Sequence, residues 1–167
     1  MKLRRTLDRV LGWTLVVLMA AMVLDVLWQV ASRYVVQEPS SFTDELARYL
    51  FIWIGLLGTA YATGQHKHLS LDLLSPRLAA PARRILALVI DLLVIFFAVV
   101  VLIVGGARLV FVTLYLEQNS AALQVPLGYV YFALPLAGAI IVCYKVLDIW
   151  GATTHGSAPL AHDQTTA

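Results

Sequence analysis

Long apolar runs alternate with short polar connections along this chain. Val10 to Ala31 is interrupted by one charge, Asp25. Tyr49 to Thr63 has none and extends backwards through Arg48, Leu46 and Phe42. Ile85 to Ala107 holds one charge, Asp91, and Val125 to Tyr144 holds none. A helix needs about 20 mostly apolar residues to cross a hydrocarbon core of about 30 Å. The runs therefore predict four spans, near residues 10–31, 42–64, 84–107 and 125–148. None alternates in polarity over about ten residues as a barrel strand does. Helices satisfy their own backbone groups in lipid, so the expected fold is an all-α integral membrane protein with one four-span domain, residues 1–167.

The connections add detail. Pro39 forces extended backbone before it, and Ser41 with Asp44 three residues on reads as a capping box. Asp44 and Glu45 then stand in the first turn of the second span, where the helix dipole favours anions. Glu45 and Arg48 are i,i+3 neighbours able to pair on one face. Between spans 2 and 3, Leu69, Leu71, Leu73 and Leu74 are too few to cross a bilayer. They predict a short interfacial amphipathic helix with Ser70 and Asp72 toward water, ended by Pro76 and Pro81. The segment 151–167 is rich in Ala, Thr, Ser and Gly and reads as a flexible cytoplasmic tail.

Composition narrows the class. The 167 residues are 60% apolar and 13% charged, against about 45–50% and about 25% in soluble domains. A soluble globule has too little here to face water with, and a disordered chain would need low hydrophobicity and high net charge. Charge placement sets orientation. Lys2, Arg4, Arg5, Arg9, Lys67, Arg77, Arg83, Arg84 and Lys145 are nine of the twelve basic residues, and all fall on one side of a four-span drawing. That side is expected to be cytoplasmic, with both termini inside. Trp13 and Trp28 flank span 1 and Trp150 ends span 4, as interfacial belts do. The basic opening of the chain resembles a secretory signal, but an apolar run of about 20 residues without a small-x-small cleavage site reads as a retained span.

Candidate chemistry is sparse. The lone Cys143 cannot form an internal disulfide, and His66, His68, His155 and His162 all lie outside the spans, which removes bis-histidine haem. No basic stripe with interleaved aromatics points to nucleic acid. Asp25 and Asp91 are expensive at membrane depth. Asp91 lies one to two turns from Arg84, so snorkelling toward the cytoplasmic face explains it, and Asp25 could reach Arg33 two turns on. The alternative makes one of them the proton site of a small autonomous multi-span exporter. Gly55, Gly58 and Ala62 in span 2, Gly105-Gly106 at the end of span 3, and Ala133, Ala137 and Gly138 in span 4 mark places where helices can approach closely.

The stretch Ser41-Phe-Thr-Asp-Glu-Leu-Ala-Arg-Tyr-Leu-Phe-Ile-Trp-Ile-Gly-Leu-Leu-Gly, followed by His68-Leu-Ser-Leu-Asp-Leu-Leu, resembles the DctQ-like small membrane subunit of TRAP (tripartite ATP-independent periplasmic) transporters. Glu45, Arg48, Trp53, Gly58, His68, Asp72, Leu73 and Leu74 carry the motif, and Ser32-Arg33-Tyr34 matches the end of that family's first span. Thr63-Gly64-Gln65 departs from it, since members often carry Arg there. The resemblance implies a non-enzymatic scaffold with no catalytic, substrate-binding or metal residues and no cofactor of its own, sodium coupling residing in the partner. Its implied partners are a large membrane subunit, a periplasmic substrate-binding protein and membrane lipids. Asp25, Glu45, Arg48, Trp53, Gly58, His68, Asp72 and Asp91 are then candidates for assembly or the subunit interface.

Overall fold

The computed structural model describes residues 2–36, 41–65 and 80–154. Among them every regular element is helical, and four helical stretches are long and apolar enough to cross a membrane. The first is α1, Lys2–Ala31, continued by a π-helical turn, Ser32–Val36. The second is α2, Ser41–Gln65. The third is α3, Ala80–Phe97, running through a π-helical segment, Ala98–Gly105, into α4, Gly106–Tyr115. The fourth is a short α5, Leu127–Tyr131, followed by α6, Ala133–Thr154.

The boundaries differ from the hydropathy reading in instructive ways. α1 begins well before Val10, because its first turns carry Arg4 and Asp8, which bind the far end of α6. Span 3 does not end at Gly105-Gly106: the helix continues through Arg108 to Tyr115, and the connection expected between the spans ending near 107 and beginning near 125 shrinks to residues 116–126. Glycine is tolerated inside this helix because Gly106 is where span 4 presses against it. Span 4 is broken after Tyr131 because Pro135 has no N–H to give the Tyr131 carbonyl. Its last helix runs to Thr154, so the first residues of the expected tail are helical. The expected interfacial helix, with His68 and Asp72, lies outside the described residues, as does 155–167.

α2 and α6 form the middle of the bundle. α1 packs against α2, and span 3 packs against α6, which places these two at the outer edges. One core cluster joins α2, the π segment and α6 through Ala60, Ala98, Ala137 and Ile141. Three alanines at one crossing let the backbones approach closely enough for dispersion to hold them, lipid tails offering no hydrophobic drive between helices. A second cluster joins α1, α2 and α6 through Leu11, Leu57 and the fully buried Tyr144. The outer faces carry Val16, Val17, Leu24 and Leu27 on α1 and Leu92, Leu93, Phe96 and Phe97 on α3, all exposed, as a lipid-facing surface requires.

Candidate functional site

Polar ties hold the helices at both ends of the bundle. Where α1 begins and α6 finishes, Arg4 donates to Asp148 Oδ1 at 2.9 Å and to the Gly64 carbonyl, and its guanidinium lies 5.9 Å from the Tyr144 ring centre. The Tyr144 hydroxyl donates to Asp8 Oδ1 at 2.6 Å. Three helices meet at this one arginine. The Tyr144 ring fits only because residue 64 is glycine: a Cβ there would stand 2.8 Å from the ring. Next to Tyr144 on α6, Lys145 Nζ contacts Asp91 Oδ1 on α3 at 2.7 Å. Asp91 is thus matched across the helix pair by one of the basic residues assigned to the cytoplasmic side.

At the opposite end Asp25 is buried, with 7% of its surface exposed. The two N–H groups of Gln29 Nε2 serve Asp25 Oδ2 and the Thr43 carbonyl, each at 3.0 Å, and so tie α1 to α2. Asp25 takes its hydrogen bond from Gln29, one turn on, and not from Arg33, which is exposed. A cleft of about 290 Å³ opens beside this tie, between Gln29, Ser32 and Arg33 on one side and Thr43 and Asp44 on the other.

Glu45 does not pair with Arg48. Its Oε2 accepts the backbone N–H groups of Ala122 and Leu123 at 2.8 and 3.0 Å, and its Oε1 accepts the Tyr49 hydroxyl at 2.8 Å. A charged acceptor on two consecutive amides is a strong arrangement. It pins the 116–126 connection, whose own bonds include Ser120 N–H to the Val125 carbonyl at 2.9 Å and Leu127 N–H to the Gln118 carbonyl at 2.9 Å. Glu117 and Gln124 sit at φ 48° and 53°, a conformation L-residues adopt only when surroundings compensate. Glu45→Ala is therefore expected to loosen this connection without unfolding the bundle. The hydrogen exchange of the Ala122 and Leu123 amides should quicken by about tenfold or more, while α2 and α6 keep their protection. Unchanged exchange at those two amides would contradict this role.

The remaining candidates fall on different faces. Trp53 is half-buried and packs against the Leu11, Leu57 and Tyr144 cluster. Gly58 has ordinary room, a Cβ there meeting only Leu15 Cδ2 at 4.0 Å. Arg48 is exposed on the outward side of α2 and, among the described residues, makes no ion pair. The structure thus brings Asp25, Glu45, Trp53 and Asp91 into internal contacts and leaves Arg48 outside them. It also draws in Arg4, Asp8, Gln29, Tyr144, Lys145 and Asp148, which hydropathy passed over. The signal available in the sequence was the placement of Lys145 and Asp148 at the end of an otherwise uncharged run.

Residues 22–155, from the middle of α1 to the end of α6, match the DctQ component of tripartite ATP-independent periplasmic transporters. The chain belongs to the DctQ family. It is similar to the sialic acid TRAP transporter small permease protein SiaQ of Vibrio cholerae, at 30% identity over 152 residues, 89% of this chain and 84% of that protein. It is also similar to the C4-dicarboxylate TRAP transporter small permease protein DctQ of Rhodobacter capsulatus, at 29% identity over 71% of this chain and 52% of that one. The isethionate TRAP transporter permease protein DctMQ of Oleidesulfovibrio alaskensis aligns with 85% of this chain at 27% identity, over only 24% of its own length. A DctQ-family chain is a small permease subunit of a multi-span membrane transporter, which accounts for a bundle whose polar groups are spent on holding helices together. The reading as an autonomous exporter is not favoured by these relatives.

Proposed function

We propose that this chain is the fixed membrane scaffold of a TRAP transporter, without enzymatic activity. It holds a large permease subunit in the bilayer while that subunit takes up an organic acid with a cation, sodium by family resemblance. A periplasmic binding protein delivers the acid. The observation that carries this reading is that Asp25, Glu45 and Asp91, three of the acids the sequence placed at membrane depth or at its edge, are each committed to a tie that joins elements of the chain itself. A carrier site needs a carboxylate that can change its partner during the cycle. The match to a permease about four times longer than the aligned part favours a large membrane partner. Sialic acid, C4-dicarboxylate and isethionate, named for the relatives, share an anionic group and favour that substrate class. α1 begins and α6 ends at the same end of the bundle, joined by Arg4 and Asp148, and the basic residues favour the cytoplasm of a bacterial inner membrane for that end.

The test is reconstitution. Proteoliposomes are made with the large permease subunit of the same transporter, with this chain, or with both, and supplied with the binding protein, an organic acid and a sodium gradient. Uptake is expected only with both membrane subunits, and Asp25→Asn should retain it. Proton flux through liposomes holding this chain alone, abolished by Asp25→Asn, would return the autonomous exporter.

A further inference from the structure

The outward face of α2 differs chemically from the outward faces of α1 and α3. Those two present large apolar side chains throughout their middle turns, which is what lipid accepts. On α2, Arg48, Gly55 and Thr59 are exposed, and at about 100° per residue they fall within about 40° of one another. Phe51, 65% exposed, flanks them. This stripe lies opposite Leu57, Ala60 and Gly64, which the chain buries. Gly55 is not needed by any contact within the chain, since a Cβ there would meet nothing within 4 Å. The Thr59 hydroxyl turns back to the Gly55 carbonyl at 2.8 Å, and that of Thr63 to the Thr59 carbonyl at 2.9 Å. The threonines are therefore self-satisfied, and the surface they leave is small and flat.

Arg48 supplies the charge argument. It lies seven residues after Ser41, about 10 Å along the helix axis at 1.5 Å per residue. Of the two carboxylates about one turn before it, Glu45 has both oxygens committed to the Ala122 and Leu123 amides and to Tyr49, and Asp44, exposed on the same side of the helix, makes no ion pair with it. Among the described residues Arg48 is thus left without an ion-pair partner, and an exposed arginine on the outward side of a spanning helix is open to an anion from another chain. A glycine and a threonine next to it allow another helix close enough to deliver one.

We infer that the Arg48–Gly55–Thr59 face of α2 is where the large permease subunit docks. The docking element is a membrane-spanning helix carrying a carboxylate at the depth of Arg48 and a bulky apolar side chain over Gly55. This rests on the scaffold reading above and names the surface it uses. The faces of α1 and α3 that carry Val16, Leu24, Leu93 and Phe97 are left to lipid.

The experiment co-expresses the tagged chain with the large permease subunit of its own transporter and measures how much of that subunit is recovered from membranes. Gly55→Leu is the leading variant, because leucine is a better helix former than glycine and is at home in lipid. It should leave the amount of this chain in the membrane unchanged and lower recovery of the large subunit by about tenfold or more. Arg48→Glu should do the same and be rescued by an acidic-to-basic change selected in the large subunit. A photo-crosslinking residue at position 51 should give an adduct with the large subunit, and one at position 16 should not. If the wild-type chain recovers the large subunit but Gly55→Leu and Arg48→Glu recover it equally well, the face is wrong and the scaffold reading stands. Adducts with lipid alone from position 51 would likewise assign Arg48 to headgroup phosphates and overturn the proposal. If the wild-type chain recovers no large subunit, both readings fall.

Discussion

Replacing Lys145 with methionine should destabilise the purified protein by about 1–3 kcal/mol, less than the roughly 3–5 kcal/mol that breaking a fully buried pair from one side costs, because this pair is only partly buried. The cost comes from what is left behind. Asp91 Oδ1 contacts Lys145 Nζ at 2.7 Å, and the two side chains are 26% and 16% exposed. Methionine keeps most of the lysine's volume and removes its charge, so Asp91 is stranded on α3 against an apolar surface. The companion variant separates this from loss of packing. Asp91→Leu with Lys145→Met removes both charges and keeps a filled contact, and it should recover most of the loss, because a well-packed apolar pair often matches a buried ion pair. The measurement is thermal unfolding of each variant in the same detergent, read by loss of the monodisperse species. Single and double variants melting together at a lowered temperature would show that the packing of Lys145, not its charge, holds α3 to α6.

The second large effect is expected from one member of a glycine pair. A Cβ on Gly106 would lie 2.8 Å from Leu134 Cβ and 2.9 Å from Pro135 Cδ, with the Pro135 nitrogen at 3.1 Å. Nothing there can swing away, since one neighbour is the root of a side chain and the other a ring closed on the backbone. Gly106→Ala should cost about 1–3 kcal/mol by overpacking, and Gly106→Leu more. Gly105→Ala is the control. A Cβ on Gly105 meets only the Val100 carbonyl at 3.6 Å, ordinary contact, and alanine is the better helix former by about 1 kcal/mol. That variant should melt at or above the wild-type temperature. Equal losses at the two positions would mean that glycine serves the π-helical backbone of Ala98–Gly105 and its junction with α4, not the approach of span 4.

These two cases show where sequence reading stops. Gly105 and Gly106 are the same residue type in consecutive positions of the same apolar run, and both were read as the end of a span. The structure gives one only an ordinary contact within its own helix and sets the other hard against Leu134 and Pro135 of span 4. The acids divide likewise. Asp25, Glu45 and Asp91 are conspicuous because charge is costly in lipid; the sequence offered Arg33 to the first, Arg48 to the second and the cytoplasmic face to the third. Each instead bonds first to something else: Asp25 to Gln29 one turn on, Glu45 to the amides of a connection 77 and 78 residues away, Asp91 to a lysine 54 residues away. The nearest opposite charge in the sequence is therefore a poor guide to pairing: Glu45 and Asp91 find partners on other elements of the bundle, and Asp25 takes an uncharged amide on its own helix.

Hydropathy by itself determined the class of protein, the number of spans and, to within a few turns, where each lies, because transfer into lipid is settled residue by residue along a single helix. The motif in span 2 was enough to point to the family. The tertiary structure alone decided that α2 and α6 occupy the middle, that span 3 runs on to Tyr115, and that the Lys145–Asp91 and Arg4–Asp148 pairs close the bundle. It also decided that Arg48, Gly55 and Thr59 face outward together. Those are facts about which faces meet at which depth, and they depend on the rotation and tilt of whole helices packed against one another, which no local run of residues specifies.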